Sequence, residues 1–202
     1  LKAQGSDKVV FTVPSGNFGN IGAGVLAHKM GLPVHHFVAA NNANDTVTDY
    51  LKTGEYKTKP SVATLSNAMD VGAPSNWVRI MDMFEDDYEV VRDNISAYTF
   101  DDEETKKAIR EVYEKYDYIL CPHTAVAYLA AEKYKSEHPG EYASVFLSTA
   151  HPCKFPEAYS EDLFSKVKAP DSVGEMQGKK KLKTGMAVDF DRFKEYLLNE
   201  EA

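Results

Sequence analysis

The sequence predicts an α/β fold: a three-layer, open, mainly parallel sheet with helices on both faces. Three observations predict it. Short β-branched and aromatic runs alternate along the chain with segments of helical period. The runs are closed by glycine, proline and asparagine turns. The run at 34–38, Val and Phe around His35-His36, follows the first strand and helix and suits a buried parallel strand.

The elements follow in order. Residues 9–13 read as a strand closed by Pro14-Ser15-Gly16 and followed by Asn17-Phe18-Gly19-Asn20, and residues 21–30 read as a helix ended by Gly31 and Pro33. A second apolar run at 34–38 completes a βαβ unit, whose glycine-rich turn lies at the carboxyl end of its first strand. The polar stretch from Asn41 to Asp45 precedes a short helix at 47–53 that stops at Gly54. Residues 57–76 lack periodicity, with Ser75 as the expected N-cap of a helix running to Phe84. Acidic Asp101-Asp102-Glu103-Glu104 opens a helix through Lys115, where its charge suits the helix dipole. A strand at 118–120, a helix at 124–136 capped by Thr124 and a strand at 143–147 complete the alternation. Residues 166–183 read as a surface loop and residues 191–198 as a terminal helix, with 166–202 expected to belong to the same domain as 1–165.

A chain of 202 residues that is 43% hydrophobic and 27% charged has the composition of a folded globular domain. Its 31 acidic against 23 basic residues give a net charge of -8, the wrong sign for capturing a phosphate backbone, so nucleic acid is not an expected partner. Cys121 and Cys153 lack the spacing of a zinc cluster and read as reduced thiols. No apolar run is long enough to span a bilayer, so no membrane partner is expected, and a cytoplasmic location is. The chain begins at Leu1 rather than methionine, which suggests a piece of a longer protein.

Ser15-Gly16-Asn17-Phe18-Gly19-Asn20, between a strand and a helix, offers successive backbone N–H groups at the positive end of a helix dipole, which suits a phosphate. By position alone, a tight turn with no ligand fits the same residues. No G-x-G-x-x-G is present, and no Gly-Lys-Ser/Thr closes the loop as a P-loop would. Ser148 to Phe155 and Cys121-Pro122-His123-Thr124-Ala125 each follow another predicted strand, so three loops face one crevice. For His123 and His151 taken singly, a hydrogen-bonded loop histidine is the simpler reading. His35-His36 suits partial burial better than metal ligation, and Lys179-Lys180-Lys181 suits a solvated loop.

Val13-Pro14-Ser15-Gly16-Asn17-Phe18-Gly19-Asn20, Ser66-Asn67-Ala68-Met69-Asp70-Val71-Gly72-Ala73-Pro74-Ser75-Asn76, Pro122-His123-Thr124-Ala125 and Ser148-Thr149-Ala150-His151-Pro152 occur in the order of four motifs of the threonine synthase family. The chain resembles that family over most of its length, with Cys153 where the family more usually has alanine. The resemblance implies the fold-type II, tryptophan-synthase-β-like architecture of pyridoxal 5'-phosphate enzymes, with 1–165 as the cofactor-binding domain. It implies conversion of O-phospho-L-homoserine and water to L-threonine and phosphate. Carried over residue by residue, the backbone of Gly16, Asn17, Phe18, Gly19 and Asn20 would hold the cofactor phosphate, and the Thr149 hydroxyl would bond the pyridine nitrogen. The family's Schiff-base lysine lies in a Phe-Lys-Asp context before the glycine-rich loop. Lys2 and Lys8 lack that context, and Lys154 suits a loop charge. The chain is therefore expected to be the C-terminal portion of such an enzyme, to contain no catalytic lysine, to be inactive alone, and to self-associate through the surface left by the other half. A noncatalytic α/β module binding a phosphate ligand is the alternative. It would have no need of the Asp70 to Asn76 and Thr149 motifs.

Overall fold

The computed structural model describes residues 8–176 and 178–198; Leu1 and Lys2, and Gln177 within the 166–183 segment, lie outside them. The described chain divides into two units, 1–167 and 168–202.

The first unit is built on four parallel strands, β1 (Val9–Pro14), β2 (His36–Asn41), β3 (Ile95–Thr99) and β4 (Ala143–Phe146), in the order β3-β2-β1-β4. The expected parallel α/β sheet is thus present. Period-two alternation sorts the strand side chains between two cores. Phe11, Val13, Phe37, Ala39, Ile95 and Ala97 face one side. There they meet side chains of α1 (Gly19–Lys29), α2 (Thr46–Thr53), α3 (Trp77–Met83) and α4 (Tyr88–Asn94). Val10, Val38, Ala40 and Tyr98 face the other, against Val126, Ala127, Ala130 and Tyr134 of α6 (Pro122–Glu137). A further apolar cluster joins α6 to α5 (Asp102–Tyr116) through Ala108, Ile109, Val112 and Ala125, and Leu163 of α7 (Glu161–Phe164) closes it.

Local chemistry sets the element ends. Asp101 and Glu104 form a reciprocal capping box at the start of α5. Gly54 ends α2 in the left-handed conformation, where a Cβ is costly. Pro14 has no N–H to give a neighbour. Ser15 N continues the ladder to Ala40 O at 2.8 Å, whereas the last bond on the β4 side is Leu147 N to Thr12 O at 3.0 Å. The chain therefore opens between β1 and β4 just beyond these residues.

Several expectations need correction. Residues 118–120 form no strand; the strand at this level is β3, preceded by α4, in a stretch from Asp86 to Phe100 whose polar residues mask its period. The cap of α6 is Cys121, whose Sγ accepts from Thr124 N at 3.4 Å, because the helix starts at Pro122, a residue suited to a first helical turn; Thr124 lies inside that turn. Ser75 does not cap α3, since its hydroxyl donates to Asn17 Oδ1 at 3.0 Å and the helix begins two residues later.

In the second unit, α8 (Asp171–Met176) occupies part of the expected loop, and α9 (Phe190–Leu198) matches the expected terminal helix. Arg192 N donates to Asp189 Oδ1 at 2.9 Å at the start of α9.

Candidate cofactor-phosphate site

The sheet order places β2 and β3 on one side of β1 and β4 on the other, so the chain reverses direction across the sheet at the β1–β4 gap. Open α/β sheets bind ligands at such a switch point, outside the carboxyl ends of the strands. Two of the loops singled out in the sequence leave the sheet there: 15–20 after β1 and 147–151 after β4. The third joins them through its side chain, since Thr124 Oγ1 donates to Ser148 Oγ at 3.2 Å.

The 15–20 loop is held by a dense set of bonds. Ser15 is buried, its hydroxyl donating to Val13 O at 2.8 Å, and Asn41 Nδ2 donates to Ser15 O at 2.8 Å. Asn17 Oδ1 accepts from Ser75 N at 2.6 Å, and Asn76 Nδ2 donates to Asn17 O at 2.8 Å. Phe18 adopts the left-handed conformation with φ 58°, unusual for a residue with a side chain. Its ring compensates by burial, edge-on to Trp77 with centroids 5.3 Å apart.

The 66–76 segment is the loop's other wall. A Cβ on Gly16 would stand 2.5 Å from Met69 Cα and 3.1 Å from Ala68 O, so the Asn67–Met69 turn rests directly on the Gly16 backbone. Asp70 anchors the same segment, accepting from Thr64 Oγ1 at 2.7 Å and from Asn42 Nδ2 at 2.8 Å. Gly72 is equally confined, since a Cβ there would collide with Lys59 O.

All these bonds leave one set of donors over. Among the described residues no protein acceptor takes the N–H groups of Gly16, Asn17, Phe18, Gly19 or Asn20, and the last two open α1. Asn17, Gly19 and Asn20 are exposed. Five clustered donors at the positive end of an 11-residue helix fit a phosphate by the chemistry of the donor set. Thr149 is exposed, three residues beyond β4 at the same sheet edge. His151 caps the next turn by accepting from Cys153 N at 3.2 Å.

Two titratable groups were read as structural from the sequence. His36 is part-buried, its Nε2 2.9 Å from Ser96 Oγ and its ring stacked on Tyr134, and burial followed by the nearby His138 lowers its pKa to about 4. His123 is buried, and burial lowers its pKa too. Cys121 and Cys153 are both free thiols. Among the described residues no cluster of side chains suits a metal ion, and no helix is long and apolar enough to cross a membrane.

Sequence reasoning missed Asn41, the contact of Ala68 and Met69 with Gly16, and the bond of Ser75 to Asn17. Asn41 carried a signal, standing at the end of an apolar run where a buried amide must find a partner.

The chain belongs to the pyridoxal-phosphate dependent enzymes, whose family model matches residues 1–150. A second family model, described as threonine synthase, C-terminal, matches residues 124–197. Within the family the chain is similar to threonine synthases. That of Haemophilus influenzae is 39% identical over 198 residues, covering 98% of this chain and 45% of the relative. That of Serratia marcescens is 42% identical over 173 residues, covering 86% of this chain and 39% of the relative. The crystal structure of threonine synthase from Escherichia coli superposes with a TM-score of 0.83 at 36% identity, over 100% of this chain and 46% of that one. A threonine synthase from Brucella melitensis, described as bound to pyridoxal phosphate, superposes at 0.81 with 28% identity, over 94% and 46% of the two chains. The chain therefore spans about half the length of the relatives it matches.

Proposed function

We propose that this chain is the C-terminal part of a pyridoxal-phosphate dependent threonine synthase, a lyase of threonine biosynthesis. It would act on O-phospho-L-homoserine and water to give L-threonine and phosphate. The observation that carries the reading is the set of five amides, Gly16 to Asn20, without an acceptor among the described residues at the β1–β4 switch point. Those amides hold the cofactor phosphate, and the Thr149 hydroxyl meets the pyridine nitrogen from the neighbouring strand end. When bound, pyridoxal phosphate supplies an electron sink for the elimination and the addition of water that follows. A hydroxyl at the ring nitrogen does not force its protonation as a carboxylate would, so Thr149 moderates that sink.

The lysine that carries the cofactor comes from outside these 202 residues, and the chain alone makes no threonine. Uncovered apolar surface supports a need for covering: Leu32 is half-exposed beside a groove of about 300 Å³ lined with Phe11, Val13, Phe37 and Leu147. The rest of the enzyme, or a second copy of this chain, covers it.

Titrating isotope-labelled chain with pyridoxal phosphate and with inorganic phosphate tests the site. Amide shifts at Gly16 to Asn20 with either ligand, extended to Thr149 with the cofactor alone, support the assignment. A folded chain whose loop ignores both refutes it. Threonine formed from phosphohomoserine by this chain alone refutes the predicted inactivity, and a strictly monomeric species at high concentration counts against self-association.

A further inference from the structure

His123 is 3% exposed, sits in the first turn of α6, and has one hydrogen-bond partner among the described residues: its Nε2 stands 3.2 Å from Ala68 N. A backbone N–H only donates, so Nε2 accepts, and the ring is neutral with its hydrogen on Nδ1. Nδ1 is itself buried and has no partner among the described residues. The chain thus leaves one buried donor unmade to keep Nε2 as an acceptor facing Ala68. The ring is fixed on its flank by Phe155, with centroids 4.9 Å apart.

What Ala68 N–H belongs to gives this bond its meaning. Ala68 is the middle of the Asn67–Met69 turn, and that turn lies on Gly16 with no room for a methyl group between them. The path from His123 to the loop is therefore one hydrogen bond and one backbone contact.

We propose that His123 is a positioning residue for the anion cradle, its neutral ring holding the Asn67–Met69 turn against Gly16 so that protonation of the ring loosens the site. The proposal rests on the reading of Gly16 to Asn20 as an anion cradle. A protonated ring presents an N–H from Nε2 to the N–H of Ala68, two donors face to face, and the bond is lost. The charged groups bearing on the ring are Asp70, which favours its protonation, and Lys154, which opposes it as burial does. The Cys121 thiol and the Tyr159 hydroxyl share a cluster with Phe155, and Tyr159 donates to Leu120 O at 2.9 Å.

The test uses the labelled chain with sulfate as probe, because sulfate stays doubly charged across the whole titration of a histidine whereas phosphate does not. Ring ¹⁵N shifts of His123 above neutrality are expected to show hydrogen on Nδ1, and the Ala68 amide to be protected from exchange. Sulfate affinity at Gly16 to Asn20 is expected to fall roughly tenfold as His123 protonates, the loss of about one buried hydrogen bond. His123→Phe, which fills the space without an acceptor, shows the weaker binding at every pH. His123→Gln, whose Oε1 takes the place of Nε2, restores binding and removes the pH step. Lys154→Met moves the step to higher pH. A ring with hydrogen on Nε2, or His123→Phe binding sulfate as tightly as the unaltered chain above neutrality, overturns the proposal. A chain that binds no sulfate at the loop above neutrality overturns the cradle reading instead, and the proposal with it.

Discussion

Replacing Gly16 by alanine tests the construction of the site at its tightest point. The added Cβ would lie 2.5 Å from Met69 Cα, 3.0 Å from Met69 C and 3.1 Å from Ala68 O. Carbon atoms rest at about 3.5–4.0 Å, so the turn or the loop must retreat by about 1 Å. All three obstructing atoms are backbone, so no side chain can swing aside. Overpacking of this kind costs about 1–3 kcal/mol, and the smaller unfolded-state entropy of alanine returns about 0.4–1 kcal/mol. The net loss is about 1–2 kcal/mol, which in a unit of this size lowers Tm by roughly 2–8 °C. Binding suffers further, because a loop displaced by about 1 Å misaims its donors, and each charge-assisted hydrogen bond is worth about 1.5–3 kcal/mol. Phosphate affinity should fall roughly 10- to 100-fold. Gly19→Ala is the internal control, since its Cβ would meet only Asn76 Nδ2 at 3.4 Å, and it should melt within about 2 °C of the unaltered chain. Thermal melts and the amide titration, run on both variants, check the argument. Equal melting temperatures and equal phosphate affinities for the two would refute it.

Acid should destabilise the fold through His36. Its folded pKa of about 4 lies below its ordinary value of 6.5, so the unfolded chain takes up the proton first. Stability is then flat above pH 6.5 and falls between 6.5 and 4 by up to about 3 kcal/mol; denaturant melts of His36→Phe should lose most of that slope. Asp101→Ala removes the cap of α5, which accepts from Glu104 N at 2.8 Å, and should cost about 1 kcal/mol in a denaturant melt.

The elements with strong local chemistry could be read from the chain. The capping box at Asp101 and Glu104, the left-handed stop at Gly54 and the apolar runs of β1 and β2 each depend on neighbours in sequence. The 118–120 run misled because Tyr118 and Ile119 make it look like a buried strand, whereas Tyr118 is exposed and Leu120 instead closes the cluster between α5 and α6. Conversely, β3 hides behind Ser96 and Thr99, polar residues whose hydroxyls find partners in His36 and Thr48 that lie far away in sequence.

By itself the sequence determined most of the alternation of strand and helix, the glycine-rich turn at Ser15 to Asn20 and the loop that follows β4, because turn geometry and helix ends are local properties of a few residues. Only the tertiary structure decided which strands are neighbours, and with them that β1 and β4 open a gap beneath that turn. It decided too that the Asn67–Met69 turn presses on Gly16 while His123 holds it from behind. Those contacts join residues about fifty positions apart, and distances of that kind are set by how the layers pack rather than by any local preference of the chain.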